Sequence, residues 1–225
     1  MKKTVFFILL FFPFIACWGQ RVSILGDSYS TFQGYIPDCN LVWYTLPVDT
    51  SRTDVSRVEE TWWWQVIEKM GYTLEKNDSY SGSTVSFRGY NGDDFSDRSF
   101  TTRLPRVGHP EILLIFGCIN DSWAGVKVGS YKYVHIQKDD LYTYRPALAW
   151  LLSYTRLLYP NTEVYYIIGD GLRQDITEST KAICDHFGIP YIQLQGIDKK
   201  AGHPTVLGMR QIADQVSAFL RKVRD

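Results

Sequence analysis

Gly26-Asp27-Ser28 stands directly after the short apolar run Val22-Ser23-Ile24-Leu25, and there the chain first offers chemistry. A glycine at the end of a buried strand lets the backbone turn sharply. The polar side chains that follow are then lifted off the sheet edge, where a serine hydroxyl can meet a substrate. Serine becomes a useful nucleophile only when a base takes its proton and donors receive the developing oxyanion. Ser81-Gly82-Ser83, Asn120-Asp121 and Gly202-His203-Pro204 each follow another expected strand, in an order that can build one site.

The chain has four histidines. His109 and His203 both sit in Gly-His-Pro, but His109 precedes a strand and belongs at the amino end of the sheet. His203 follows a strand and precedes the last helix, at the end expected for Ser28. His186 reads as a surface residue near a helix C-terminus, and His135, in a long loop, is the one rival base. For the oxyanion, the candidates are the Ser28 N–H, the Gly82 N–H and the Asn120 side-chain amide. Each has a plain alternative, since glycine and asparagine are also ordinary turn and cap residues.

As a set, Gly26-Asp27-Ser28, Gly82 within Asn77-Asp78-Ser79-Tyr80-Ser81-Gly82, Asn120-Asp121 and His203 resemble the SGNH, or GDSL-type, esterase/lipase pattern. The resemblance spans almost all of the chain beyond its N-terminal leader. It implies a flavodoxin-like three-layer α/β/α sandwich and hydrolysis through an acyl-enzyme. Carried over, Ser28 resembles the nucleophile, His203 the base and then acid, and Ser28, Gly82 and Asn120 the oxyanion hole. The α/β-hydrolase elbow G-x-S-x-G is absent, because Ser30 stands where its second glycine would be.

Two departures bear on mechanism. The family's Gly-x-Asn-Asp reads Cys118-Ile119-Asn120-Asp121, with the glycine one place early at Gly117. The family's Asp three residues before the histidine is Lys200, which has no acceptor for an imidazole N–H and whose charge disfavours an imidazolium. Either Asp198, five residues before His203, swings into that part, or a backbone carbonyl leaves a Ser-His pair.

Short β-rich apolar runs alternate with helical patterns. Strands are expected near 21–25, 72–76, 111–116, 163–168 and 190–194. Helices are expected at about 59–70, 98–105, 142–159, 174–187 and 205–223. Such alternation predicts about five parallel strands with helices on both faces. Three long connections, about 29–58, 83–97 and 121–141, leave the carboxyl ends of strands, the edge where open α/β sheets bind ligands. Their aromatic residues (Tyr35, Trp43 and Tyr44 in the first, Trp123, Tyr131 and Tyr133 in the last) read either as a substrate wall or as anchors of their own loops.

With 225 residues, 45% hydrophobic and 21% charged, the chain suits one well-cored domain over 20–225. A formal net charge of zero and the lack of a basic stripe argue against nucleic acid. Lys2-Lys3 before an apolar run, Val5 to Ile15, and small residues at Ala16 and Gly19 have the layout of a secretory signal, residues 1–19. A cut after Gly19 is favoured over acylation at Cys17, because Phe14 stands where lipoprotein boxes usually carry Leu. A membrane is a partner only in the second case.

Cys39, Cys118 and Cys184 are too widely spaced for a metal site; they allow at most one bridge and are expected as separate thiols. No cofactor or metal is assigned, and Asp93, Asp94 and Asp97 lack calcium-loop spacing. The leading expectation is an exported serine esterase acting on a short acyl ester of a carbohydrate. The alternatives are a lipase or thioesterase for longer chains, and a non-catalytic glycan-binding module.

Overall fold

The computed structural model describes residues 19–224. Cys17 and all but the last residue of the 1–19 leader lie outside the described residues. Five parallel strands form one sheet: β1 (Arg21–Gly26), β2 (Thr73–Ser79), β3 (Ile112–Gly117), β4 (Glu163–Ile168) and β5 (Tyr191–Gln193). Their order is β2-β1-β3-β4-β5.

Residues alternate between two apolar layers, as a strand buried on both faces requires. Ile112, Leu114, Phe116, Tyr165 and Ile167 face one layer with α1 (Trp62–Met70) and α6 (Val206–Arg224). Leu113, Ile115, Val164, Tyr166 and Ile168 face the other. That second layer holds α2 (Phe100–Arg103), α4 (Tyr144–Leu158) and α5 (Gln174–Phe187). The three-layer sandwich is therefore present.

Differences from the sequence pattern have local causes. β2 runs three residues beyond the expected strand, through Asn77-Asp78-Ser79, which look like loop because they are polar. They are buried and find partners: Asn77 Nδ2 donates to the Ser30 carbonyl at 2.9 Å, and Asp78 pairs with Arg103. The helix expected at 98–105 breaks into α2 and a 3₁₀ turn at Leu104–Arg106, since Pro105 has no N–H to continue the ladder. A short helix, α3 (Ile119–Trp123), was not anticipated. Nor was a two-stranded hairpin of β6 (Lys199–Lys200) and β7 (His203–Pro204).

The topology explains which residues can meet. Ser28 follows β1, and its two neighbours β2 and β3 lead to Gly82 and Asn120, so three adjacent strand ends converge at the point where the strand order reverses. His203 has farther to come, because it follows β5 at the edge of the sheet. The β6–β7 hairpin carries it back across the strand ends.

Candidate active site

Gly26 closes β1 where a Cβ would lie 2.6 Å from Ser30 Oγ and from Ser79 Oγ, so only glycine fits that close approach. The chain then enters a 3₁₀ turn, Ser28–Ser30, capped by Asp27, whose Oδ1 accepts from the Tyr29 N–H at 3.1 Å. Asp27 is wholly buried, and burial lifts its carboxyl to about 7. The turn presents the Ser28 hydroxyl to His203, with Oγ 2.9 Å from Nε2.

The other ring nitrogen, Nδ1, lies 3.0 Å from the Ala201 carbonyl. A carbonyl only accepts, so Nδ1 carries the proton and Nε2 is left free to receive one from Ser28. This is the backbone-carbonyl alternative, and it corrects the placement expected of Asp198. Asp198 is exposed, and its carboxylate accepts from the Thr205 hydroxyl. Its own carbonyl accepts from the Thr205 N–H at 3.2 Å, and its N–H donates to Gln211 at 2.7 Å, which ties the residue to the start of α6. Lys200 also points away from the ring, with Nζ donating to the Thr50 carbonyl at 2.6 Å.

The hairpin turn delivers the carbonyl. Ala201 and Gly202 both have positive φ, +47° and +76°, as a two-residue turn of the primed type requires. The turn is moored to the nucleophile's own segment, because Tyr29 Oη donates to the Gly202 carbonyl at 2.7 Å. Tyr44 Oη holds the Pro204 carbonyl at 3.0 Å, and Lys199 pairs with Asp170 beyond β4.

Asn120 spends one amide N–H on the Ser83 carbonyl (2.9 Å), and its Oδ1 accepts from Tyr90 Oη (2.7 Å). That fixes the amide plane and leaves a second N–H unspent. Cys118 adopts the left-handed conformation (φ +72°) ahead of α3, so the residue standing where the family has glycine is accommodated at glycine's φ. Burial raises its thiol pKa far above the usual range, leaving an inert, protonated group. Asp121 is buried and accepts from the Val85 N–H (2.7 Å), the Ser86 N–H (3.1 Å) and the Ser86 hydroxyl (2.8 Å), which holds the loop after Gly82. Gly82 itself has φ +81° with nothing near a would-be Cβ.

Ser28, Gly82, Asn120 and His203 thus line one pocket of about 230 Å³, walled by Trp43, Tyr90 and Trp123. Of the aromatic residues singled out in the first and last long loops, Trp43 and Trp123 reach it. Tyr35 packs on Trp63 and Trp64, Tyr44 belongs to the core, and Tyr133 stacks on His186 at 3.7 Å. His135 and His109 are exposed and outside the pocket. Tyr90 and the Ala201 carbonyl escaped the sequence reading. Tyr90 has no local signature, whereas the Ala-Gly step before His203 is a tight-turn signal in the sequence itself.

Among the described residues no carboxylate partners His203, and burial, the largest cause, lowers its pKa to about 4; Arg52 and Lys199 push the same way, and the Ala201 carbonyl opposes them. The ring is therefore neutral at physiological pH and ready to accept a proton. The pocket can support acyl transfer: a hydroxyl, an acceptor nitrogen and amide donors around one space.

A family model described as GDSL-like Lipase/Acylhydrolase matches residues 20–220. The crystal structure of a GDSL-like lipase from Bacteroides ovatus is 49% identical, with a TM-score of 0.89, over 91% of this chain and 99% of that one. A second GDSL-like lipase, from Bacteroides uniformis, is 48% identical with a TM-score of 0.89, over 91% of this chain and 96% of that one. An acetyl xylan esterase from Butyrivibrio proteoclasticus shares the fold at 14% identity and a TM-score of 0.59, over 92% of this chain and 64% of that one. No curated protein matches. With a family match along nearly all of the described chain, and a serine, a neutral histidine and amide donors gathered in one pocket, the protein belongs to the GDSL-like lipase/acylhydrolase family and is a serine ester hydrolase.

Proposed function

We propose that the enzyme removes a short acyl group, acetyl above all, from a hydroxyl of a carbohydrate, with Ser28 as nucleophile and His203 as base. The observation that carries this reading is the Ser28–His203 hydrogen bond inside a pocket of about 230 Å³ whose walls are aromatic or polar. Pockets for drug-sized ligands run from about 300 to 1,000 Å³. An extended acyl chain asks for a continuous apolar lining, whereas Ser28, Ser81, Asn120 and His203 make this one largely polar. Trp123, exposed at the pocket wall, offers a flat face on which a sugar ring stacks. The likeness to an acetyl xylan esterase is one of fold and adds only that the fold accommodates such a substrate.

In acylation, Ser28 Oγ bonds to the ester carbonyl carbon while its proton passes to His203 Nε2. The carbonyl π pair moves onto oxygen, where the Ser28 and Gly82 N–H groups and the Asn120 amide receive it. Collapse re-forms the carbonyl and breaks the bond to the sugar oxygen, which leaves with the proton from Nε2. Water repeats the sequence: it gives a proton to Nε2, attacks the acyl carbon, and releases the acid and Ser28 Oγ–H.

The test is a series of nitrophenyl esters. kcat/KM is expected to fall by about tenfold or more from acetyl to octanoyl, as chain atoms are left outside the pocket. A rise along the series would make the enzyme a lipase or thioesterase. Export belongs to the same proposal, on the strength of the 1–19 leader. Mass analysis of the protein from its native host is expected to find Gln20 as the first residue; an acylated Cys17 would replace that with a membrane-anchored form, and a retained leader would exclude processing.

A further inference from the structure

A Ser-His site without a carboxylate must hold its imidazole some other way. In this site the ring is gripped at both nitrogens and on one face. The Trp43 indole lies parallel to it, with centroids 3.4 Å apart and an interplanar angle of 10°. The Arg52 guanidinium lies 3.9 Å from the Trp43 ring centroid. Two groups at such short range cannot share a face, so Arg52 backs the indole from the side away from His203.

Trp43 is also tied to the nucleophile. Thr31, at the end of the 3₁₀ turn that carries Ser28, donates its hydroxyl to the Ser28 carbonyl at 3.0 Å and accepts from the Trp43 N–H at 2.9 Å. The loop is pinned at its far side as well, because Lys200 reaches the Thr50 carbonyl two residues before Arg52. The residue that displaced the family's aspartate thus anchors the loop that covers the histidine.

We propose that Trp43 is the positioning residue for His203, its indole giving the imidazole the orientation that a carboxylate gives in a three-residue site. This rests on the Ser28–His203 reading above. The Ala201 carbonyl can direct Nδ1–H but leaves rotation about that bond free, and a parallel indole removes that freedom. The charged groups that act on the ring are Arg52, from behind the indole, and Lys199 from β6, and Lys199 is paired with Asp170. Tyr29, from the Ser28 turn, is the neutral neighbour, at 5.3 Å between centroids.

The experiment compares Trp43→Leu and Trp43→Phe with the parent enzyme on nitrophenyl acetate, reading kcat, KM and the pH dependence of kcat/KM. Trp43→Leu is expected to lower kcat by about tenfold to a hundredfold, since small misplacements of a reacting group cost that much, with KM nearly unchanged. Trp43→Phe, which keeps a stacking face, is expected to recover most of the loss. Opening the ring to water in Trp43→Leu also moves the acid limb of the profile upward from about pH 4, toward the ordinary histidine range. A fall confined to KM would make Trp43 only a substrate wall and overturn the proposal. So would equal losses in both variants with the acid limb unmoved. Failure of the underlying reading shows separately, as turnover that survives loss of the Ser28 hydroxyl.

Discussion

Replacing Ser28 by alanine is expected to lower ester turnover by about 10⁴- to 10⁶-fold, and His203→Ala by a similar factor. The two groups act as one device through a single hydrogen bond of 2.9 Å, so the double variant should lose little more than either single one. The oxyanion donors survive both changes and set the residual rate. Asp198→Asn serves as the contrast. Its carboxylate is exposed and bonded to Thr205, so kcat should stay within about twofold of the parent. A large loss there would restore Asp198 as the partner of His203. Single-turnover assays with circular dichroism separate lost chemistry from lost folding; turnover unchanged in Ser28→Ala would remove the proposed mechanism.

The state of His203 adds a pH signature to the same experiment. With a folded pKa of about 4, against the ordinary 6.5, the ring stays able to accept a proton down to about pH 4. The acid limb of kcat/KM should therefore sit near 4. The stability contribution has a definite sign. Between pH 6.5 and 4 the unfolded chain takes up a proton that the folded chain refuses, so this group makes the fold less stable as pH falls through that window.

Arg103→Met is expected to be the most damaging single change to the fold. The guanidinium is completely buried, and it donates to the Gly26 carbonyl at 3.0 Å, to Ser83 Oγ at 2.9 Å and to the Arg98 carbonyl at 2.8 Å. It also bonds the Asp78 carbonyl and lies 3.3 Å from the Asp78 carboxylate. One side chain thus fastens the ends of β1 and β2 to the loop after Gly82, directly beneath the pocket. Burial lowers its pKa to about 10, which still leaves it charged at neutral pH. Removing it strands the Asp78 carboxylate, with Asn40 Nδ2 at 3.1 Å and the more distant Arg106 at 3.6 Å.

Breaking a buried pair in this way costs about 3–5 kcal/mol. For a chain of this size that is a loss of about 6–20 °C in Tm. Thermal unfolding measures it. Adding Asp78→Asn to Arg103→Met should return part of the loss, because the stranded charge is then gone. A midpoint within about 2 °C of the parent for Arg103→Met would show that the guanidinium is dispensable.

Much of the architecture was legible because it is written in local periodicity. Apolar β3 and β4 stand out as continuous runs, and α6 as an apolar face repeating every three or four residues. β2 was read short because its last residues are polar, and only the buried Arg103 and Ser30 partners make such residues tolerable inside a sheet. Gly26-Asp27-Ser28, Gly82, Asn120 and His203 stand out by their places after strands, and the structure gathers Ser28, Gly82, Asn120 and His203 around one pocket. Asp198 was a candidate because it is near His203 along the chain, and nearness along the chain was a poor guide. A hairpin with two left-handed residues turns the histidine toward Ser28 and leaves Asp198 facing solvent.

By itself, then, the sequence determined the parallel α/β plan, the serine and histidine placed after strand ends, and the loss of the usual aspartate at Lys200. Those are properties of side-chain type and spacing along one chain. Only the tertiary structure decided what replaces that aspartate. The Trp43 indole and the Arg52 guanidinium lie in a segment that reaches His203 only through packing, and the Ala201 carbonyl meets the ring only once the hairpin has closed. Buried polar groups take whichever partners the fold brings within reach.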